Sequence, residues 1–202
     1  QARNQVRFVR ALDKIGYRDV LQDSMGATDF EPQYVRVRIT EALRFQYGDG
    51  RAVRQFAKHP GGGHDLRMYQ DSVVWIPMAL ERYLKETGDL AWLDERVPYL
   101  DAKTLQPSAR EVGSVYDHAC RAVRSLYEKT GHHGLCAIGY GDWNDSLSGI
   151  GGERGVSVWL SCALVHSAKL MSELAGHIGR TDDANEFDRI AEEMTRRVNA
   201  HA

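Results

Sequence analysis

Val73-Val74-Trp75-Ile76-Pro77-Met78-Ala79-Leu80 stands in the middle of a segment, Tyr69 to Thr87, that ends at Gly88. Its apolar residues cover nearly every face of a 3.6-residue helix, and a helix of that kind must be packed on more than one side. Pro77 removes a helical hydrogen bond, so the spacing predicts a kink or an irregular turn there. Working back toward the N-terminus, a helix is expected from Asp29, whose carboxylate can cap it. Pro32 falls in its first turn, Val35, Ile39, Leu43 and Phe45 form its apolar face, and Gly48-Asp49-Gly50 stops it. A long loop then runs to Asp65.

Toward the C-terminus, a short turn of helix is expected around Leu90–Glu95, broken by Pro98, with Pro107 closing a polar connector. The periodicity predicts further helices over 112–129, 155–178 and 182–200, with Thr181, Asp182 and Asp183 at the start of the last. The stretch from His132 to Arg154, together with the glycines that bracket it, holds eight glycines and reads as a large structured loop. Strand signals are scarce, so the class is all-α. Long apolar helices alternating with glycine-rich loops suit part of an (α/α) barrel, of which five or six helices make roughly the first half.

The chain has 202 residues, about one ordinary domain. Lys and Arg number 26 against 28 Asp and Glu, a net charge of −2 that gives no field for a polyanion, so nucleic acid is not an expected partner. No apolar run approaches the roughly 20 residues that a bilayer helix needs. Cys120, Cys136 and Cys162 are too few for a disulfide framework and fit a reducing, cytoplasmic setting. The opening Gln1-Ala2-Arg3-Asn4 and the end at Ala202 in a charged helical pattern suggest an excised piece.

Two segments have an unusual composition for connectors. Gly16-Tyr17-Arg18-Asp19-Val20-Leu21-Gln22-Asp23 opens a helix. Asp19 and Asp23 share one of its faces, with Arg18 and Gln22 on the adjacent one. Carboxylates that accept, beside an arginine and an amide that donate in fixed planes, can hold sugar hydroxyls; an exposed helix terminus has the same composition. Gly139-Tyr140-Gly141-Asp142-Trp143-Asn144-Asp145-Ser146 sets an indole beside two carboxylates. The indole can pack on a pyranose face, and burial against it would favour a protonated acid; a tryptophan that plugs the loop onto the core is the plainer alternative.

Other groupings are weaker. His132-His133 with Cys136 has no second pair at zinc spacing, Gly149-Ile150-Gly151-Gly152 lacks the Gly-Lys-Ser/Thr end of a phosphate loop, and Gly61-Gly62-Gly63-His64-Asp65 reads as a linker. No Gly-x-Ser-x-Gly elbow occurs.

Read together and in order, four groups of residues resemble the catalytic domain of glycoside hydrolase family 94. They are Gly16-Tyr17-Arg18-Asp19-x-x-Gln22-Asp23; Tyr83-Leu84-Lys85-Glu86-Thr87-Gly88-Asp89 with Leu93-Asp94-Glu95-x-Val97-Pro98-Tyr99; Gly134-Leu135-x-x-Ile138-Gly139 leading into Gly141-Asp142-Trp143-Asn144-Asp145; and Val158-Trp159-Leu160. The likeness covers about residues 5 to 180. That family comprises inverting phosphorylases of cellobiose, chitobiose, laminaribiose and β-1,2-glucans, and includes domains of cyclic β-1,2-glucan synthases.

The resemblance implies an (α/α)6 barrel, preceded by a β-sandwich and a helical linker that are absent from this chain, as is the C-terminal remainder of the barrel. It places the general acid on Asp145 and Trp143 against the sugar. Arg18, Asp19, Gln22 and Asp23 would bind its hydroxyls. Inorganic phosphate is the implied co-substrate, with no other cofactor and no metal. The family's phosphate-binding His and Thr/Ser-Gly pair lie C-terminal to the residues present. The partners implied are an oligosaccharide, phosphate and the rest of the same chain, with homodimerisation open. Val20-Leu21 and Ser146-Leu147-Ser148 replace the Ser/Thr-Asn and Cys-Leu-Asn of many disaccharide phosphorylases, a departure that leans toward the β-1,2-glucan branch. A carbohydrate-binding or scaffolding piece without activity, and an inverting hydrolase on the same barrel, are the alternatives.

Overall fold

A computed structural model of the chain describes residues 14–57, 59, 62–149, 151–152 and 154–202. The chain's first residues, with Gly61 and Ile150 of the two glycine-rich stretches, lie outside that range. The described residues form six α-helices: α1 (Tyr17–Ala27), α2 (Pro32–Leu43), α3 (Trp75–Thr87), α4 (Val115–Glu128), α5 (Val158–His177) and α6 (Thr181–His201). The protein is all-α. Two small antiparallel pairs accompany the helices: β1 (Lys14–Gly16) with β2 (Gln55–Ala57), and β3 (Arg96–Leu100) with β4 (Pro107–Ser114).

Helix α3 carries the apolar stretch around Trp75 and packs against α1, α2, α4 and α5, which is why its apolar residues cover more than one face. Ile76, Ala79, Leu80 and Tyr83 on it are almost fully buried. The helix begins at Trp75 and not near Tyr69; a 3₁₀ turn, Gln70–Val73, precedes it. Pro77 is therefore its third residue, where the missing N–H is one of those a first turn leaves unpaired, and the expected kink has no cause. Gly88 ends the helix with φ of 66°, in the left-handed region.

Three other boundaries differ from expectation. Glu31, and not Asp29, stands at the start of α2, and the Asp29 carboxylate instead takes up the Arg82 guanidinium. Helix α4 starts at Val115 because Ser114 and Asp117 close a capping box, each side chain bonding the other's backbone N–H; residues 107–114 upstream belong to β4. Arg180 precedes α6, so Thr181 is its first helical residue and bonds no backbone amide, while Asp182 and Asp183 face the helix dipole as expected.

One polar cluster lies inside this core. His118 on α4 is fully buried, with Nε2 at 3.1 Å from the Val97 carbonyl oxygen and Nδ1 at 2.6 Å from Gln46 Oε1. Gln46 in turn donates to the Gly50 and His118 carbonyls. Burial, with the Arg121 charge nearby, pushes the histidine down to about 4. The ring is then neutral and donates to one of its two acceptors.

Candidate functional site

The glycine-rich loop is pinned to the segment ahead of α3 by backbone bonds. Tyr140 N–H donates to the Met68 carbonyl at 2.9 Å, and Gln70 N–H to the Gly141 carbonyl at 3.1 Å. Gly139 adopts φ of 62°, and a Cβ there would stand 2.8 Å from the Met68 carbonyl oxygen, so only glycine lets the two segments lie this close. Tyr69 Oη and Ser148 Oγ bond across the same junction.

Asp142 fastens the loop at its other end. The residue is 3% exposed; its Oδ1 accepts the Asn144 N–H at 2.9 Å and its Oδ2 the Ser157 hydroxyl. Ser157 also caps α5 by accepting from the Leu160 N–H. The loop is thus tied to a helix N-terminus. Asn144 accepts the Ser146 N–H and shapes the short turn Asp145–Leu147.

This anchoring sets Asp145 beside two arginines. Arg18, the second residue of α1, donates from Nη2 to Asp145 Oδ1 at 3.0 Å, and from Nη1 to Asp71 Oδ2 at 3.1 Å and to the Asp142 carbonyl at 3.0 Å. Arg54, just ahead of β2, reaches both Asp145 oxygens at 3.3 Å, lies near Asp65, and stacks 3.8 Å over the Tyr69 ring. Gly16, Arg18, Asp19, Arg54, Tyr69 and Ser72 line a cleft at this point. Trp143 is half-exposed and stacks on Trp159, the rings 5.9 Å apart; Trp159 in turn meets Trp75.

Arg18 and Asp145 are thus in contact, with the half-exposed Trp143 two residues before Asp145 in the same loop. Asp19 lies 3.8 Å from Arg18 Nε, and its side chain is mostly exposed. Gln22 and Asp23 bond to none of Arg18, Asp145 and Trp143 among the described residues; Asp23 faces solvent one turn further along α1. The dry setting expected for Asp145 against the indole is not formed by these residues either: the carboxylate is 53% exposed. The His132 ring lies tilted against His133, which stacks on His201, and among the described residues no group of His, Cys, Asp or Glu is placed to hold a metal ion. No helix among them is long and apolar enough to cross a membrane.

Sequence reasoning missed Asp71, Arg54 and Tyr69. Asp71 is fully buried, and burial raises its carboxyl while Arg18 opposes that rise. Its Oδ1 has no hydrogen-bond partner, and the Trp75 indole N–H, which faces this carboxylate, has none of good geometry. An acid directly ahead of an apolar run was the available signal. Arg54 offered none, because its partner stands 91 residues away.

The profile of the Glycosyl hydrolase 94 superfamily catalytic domain matches residues 7–202. The chain belongs to this family. It is 40% identical to solabiose phosphorylase of Paenibacillus borealis over 92% of its own length and 23% of that protein's. It is 32% identical to cellobionic acid phosphorylase of Neurospora crassa, over 91% of the chain and 23% of the relative. The cyclic β-(1,2)-glucan synthase NdvB of Rhizobium meliloti is 35% identical over 76% of the chain and 6% of its own length. The chain thus spans about a quarter of the length of the two phosphorylases.

Proposed function

We propose that the chain is part of the catalytic domain of an inverting glycoside phosphorylase acting on β-linked gluco-oligosaccharides, with its helices forming the first half of an (α/α)6 barrel. The observation that carries this reading is the convergence of Arg18 and Arg54 on Asp145, beside an exposed tryptophan, in a chain whose relatives are phosphorylases. Trp143 packs on the sugar face. Arg18, Asp19, Gln22 and Asp23, all on α1, bind its hydroxyls.

Asp145 acts as the general acid. It transfers a proton to the leaving glycosidic oxygen while inorganic phosphate attacks C1 from the opposite face, giving an inverted sugar 1-phosphate. Phosphate is already a nucleophile, so no second carboxylate is required, in contrast to an inverting hydrolase whose base stands roughly 6.5–9.5 Å from the acid. Phosphate is the co-substrate and no other cofactor takes part. The linkage is of the β-1,2 class or of a cellobiose-like disaccharide. The test is release of a sugar 1-phosphate by the full-length protein: cleavage that needs phosphate supports the reading, and equal cleavage without phosphate sinks it.

A further inference from the structure

We propose that Asp71 is the positioning residue of this site: it fixes the Arg18 guanidinium in the orientation that presents Nη2 to Asp145, and its charge offsets the arginine's so that Asp145 can hold the proton it donates. The inference rests on the reading of Asp145 as a general acid. Its geometry is a fork gripped from behind. Arg18 Nη1 is held at 3.1 Å by Asp71 Oδ2 and at 3.0 Å by the Asp142 carbonyl, which leaves Nη2 aimed at Asp145. The guanidinium has few rotamers that satisfy all three acceptors at once.

The placement of charge matters as much as the orientation. Asp71 is fully buried, whereas Asp145 is half-exposed, so the inner carboxylate is the one that water screens least. The groups around Asp71 are Arg18 from α1, the Trp75 indole from α3 and Asp142 from the loop. Those on Asp145 are Arg18 and Arg54, the latter shared with Asp65. Without Asp71, two guanidiniums would face Asp145, and Arg18 would keep only the exposed Asp19 carboxylate as a counter-charge. An acid in that position would lose its proton at lower pH.

The experiment uses the full-length protein with two substrates: a β-linked disaccharide, whose leaving oxygen needs a proton, and the 2,4-dinitrophenyl β-glucoside, whose leaving group does not. Asp71→Asn keeps an acceptor for Arg18 and removes the charge. It is expected to move the alkaline limb of kcat/KM to lower pH by about one unit, and to lower turnover of the disaccharide about ten-fold at neutral pH while the aryl glucoside changes less than about two-fold. An unmoved limb with equal losses on both substrates would make Asp71 merely structural and overturn the proposal.

If the Asn variant does not fold, Asp71→Glu replaces it. With the charge retained, the alkaline limb should stay at its wild-type position, and a limb displaced to lower pH overturns the proposal. If the wild-type protein shows no phosphorolysis, that failure falls on the proposed function. Titration of the Asp145 carboxyl carbon by NMR, in wild type and Asp71→Asn, then decides: a lower midpoint in the variant supports the positioning role, and an unchanged midpoint overturns it.

Discussion

Two buried polar groups, His118 and Asp71, are treated differently. His118 is enclosed between Gln46 and Val97, and both of its ring nitrogens face acceptors inside the core. Asp71 is equally buried, yet its Oδ1 faces only the Trp75 indole N–H, in poor geometry, and its Oδ2 holds an arginine that looks outward to the cleft. A polar group kept for the fold is closed off, because an unpaired buried atom costs about 1–3 kcal/mol. One that grips an arginine reaching out to a half-exposed acid is better explained by a site.

The largest expected effect breaks the outward side of this comparison. Asp145→Asn in the full-length protein should lower cleavage of glycosides with poor leaving groups by about 10²–10⁴-fold, since it removes the proposed general acid. Sugar binding, read by calorimetry, should largely survive. Asp142→Asn offers the contrast, because both oxygens of Asp142 are used in holding Asn144 and Ser157. It should act through loop geometry and cost about ten-fold or less in turnover, with a fall in thermal stability. A variant of Asp142 more crippled in turnover than Asp145→Asn, at matched folding, would move the acid to Asp142.

The helices and the cleft were legible to different degrees for physical reasons. Helices α5 and α6 are long and periodic, so pattern alone placed them within a few residues. The β3–β4 hairpin was not legible, since polar residues such as Ser108, Arg110 and Glu111 carry no alternation, and its pairing is decided by contacts with Arg96 to Leu100. Arg18 and Asp145 were each visible as members of unusual local clusters, but their contact spans 127 residues and no local rule reaches that far. Gln22 and Asp23 drew notice through helical spacing, which sets each on a face of α1 with Arg18 or Asp19 and says nothing of what those faces meet.

A smaller effect sharpens the inward side. The folded pKa of His118 is lowered to about 4 from the ordinary 6.5, so the unfolded chain binds a proton between those values and the folded one does not. Stability contributed by the neutral ring is fully present above about pH 6.5 and is lost progressively as pH falls toward 4, up to about 3 kcal/mol in all. Chemical denaturation of the full-length protein at pH 7 and pH 5 should show the loss, and His118→Gln should flatten it. Stability that instead rises on acidification would mean an imidazolium donating to Gln46 and Val97 together.

The smallest expected effect concerns the start of α4, the helix that carries His118. Ser114 Oγ accepts the Asp117 N–H at 3.0 Å, and Asp117 Oδ2 accepts the Ser114 N–H at 3.1 Å. Removing one side of such a box costs about 1 kcal/mol. Ser114→Ala should therefore lower stability by about that amount and leave turnover unchanged, because no residue of the box reaches the cleft. Ser157→Ala removes a cap of the same kind from α5, yet Ser157 also bonds Asp142. Its loss should appear in both stability and turnover. The pair thus separates a cap that serves only its helix from one that also holds the loop of Asp145, and equal kinetic behaviour of the two variants would show that the Ser157–Asp142 bond does not position Asp145.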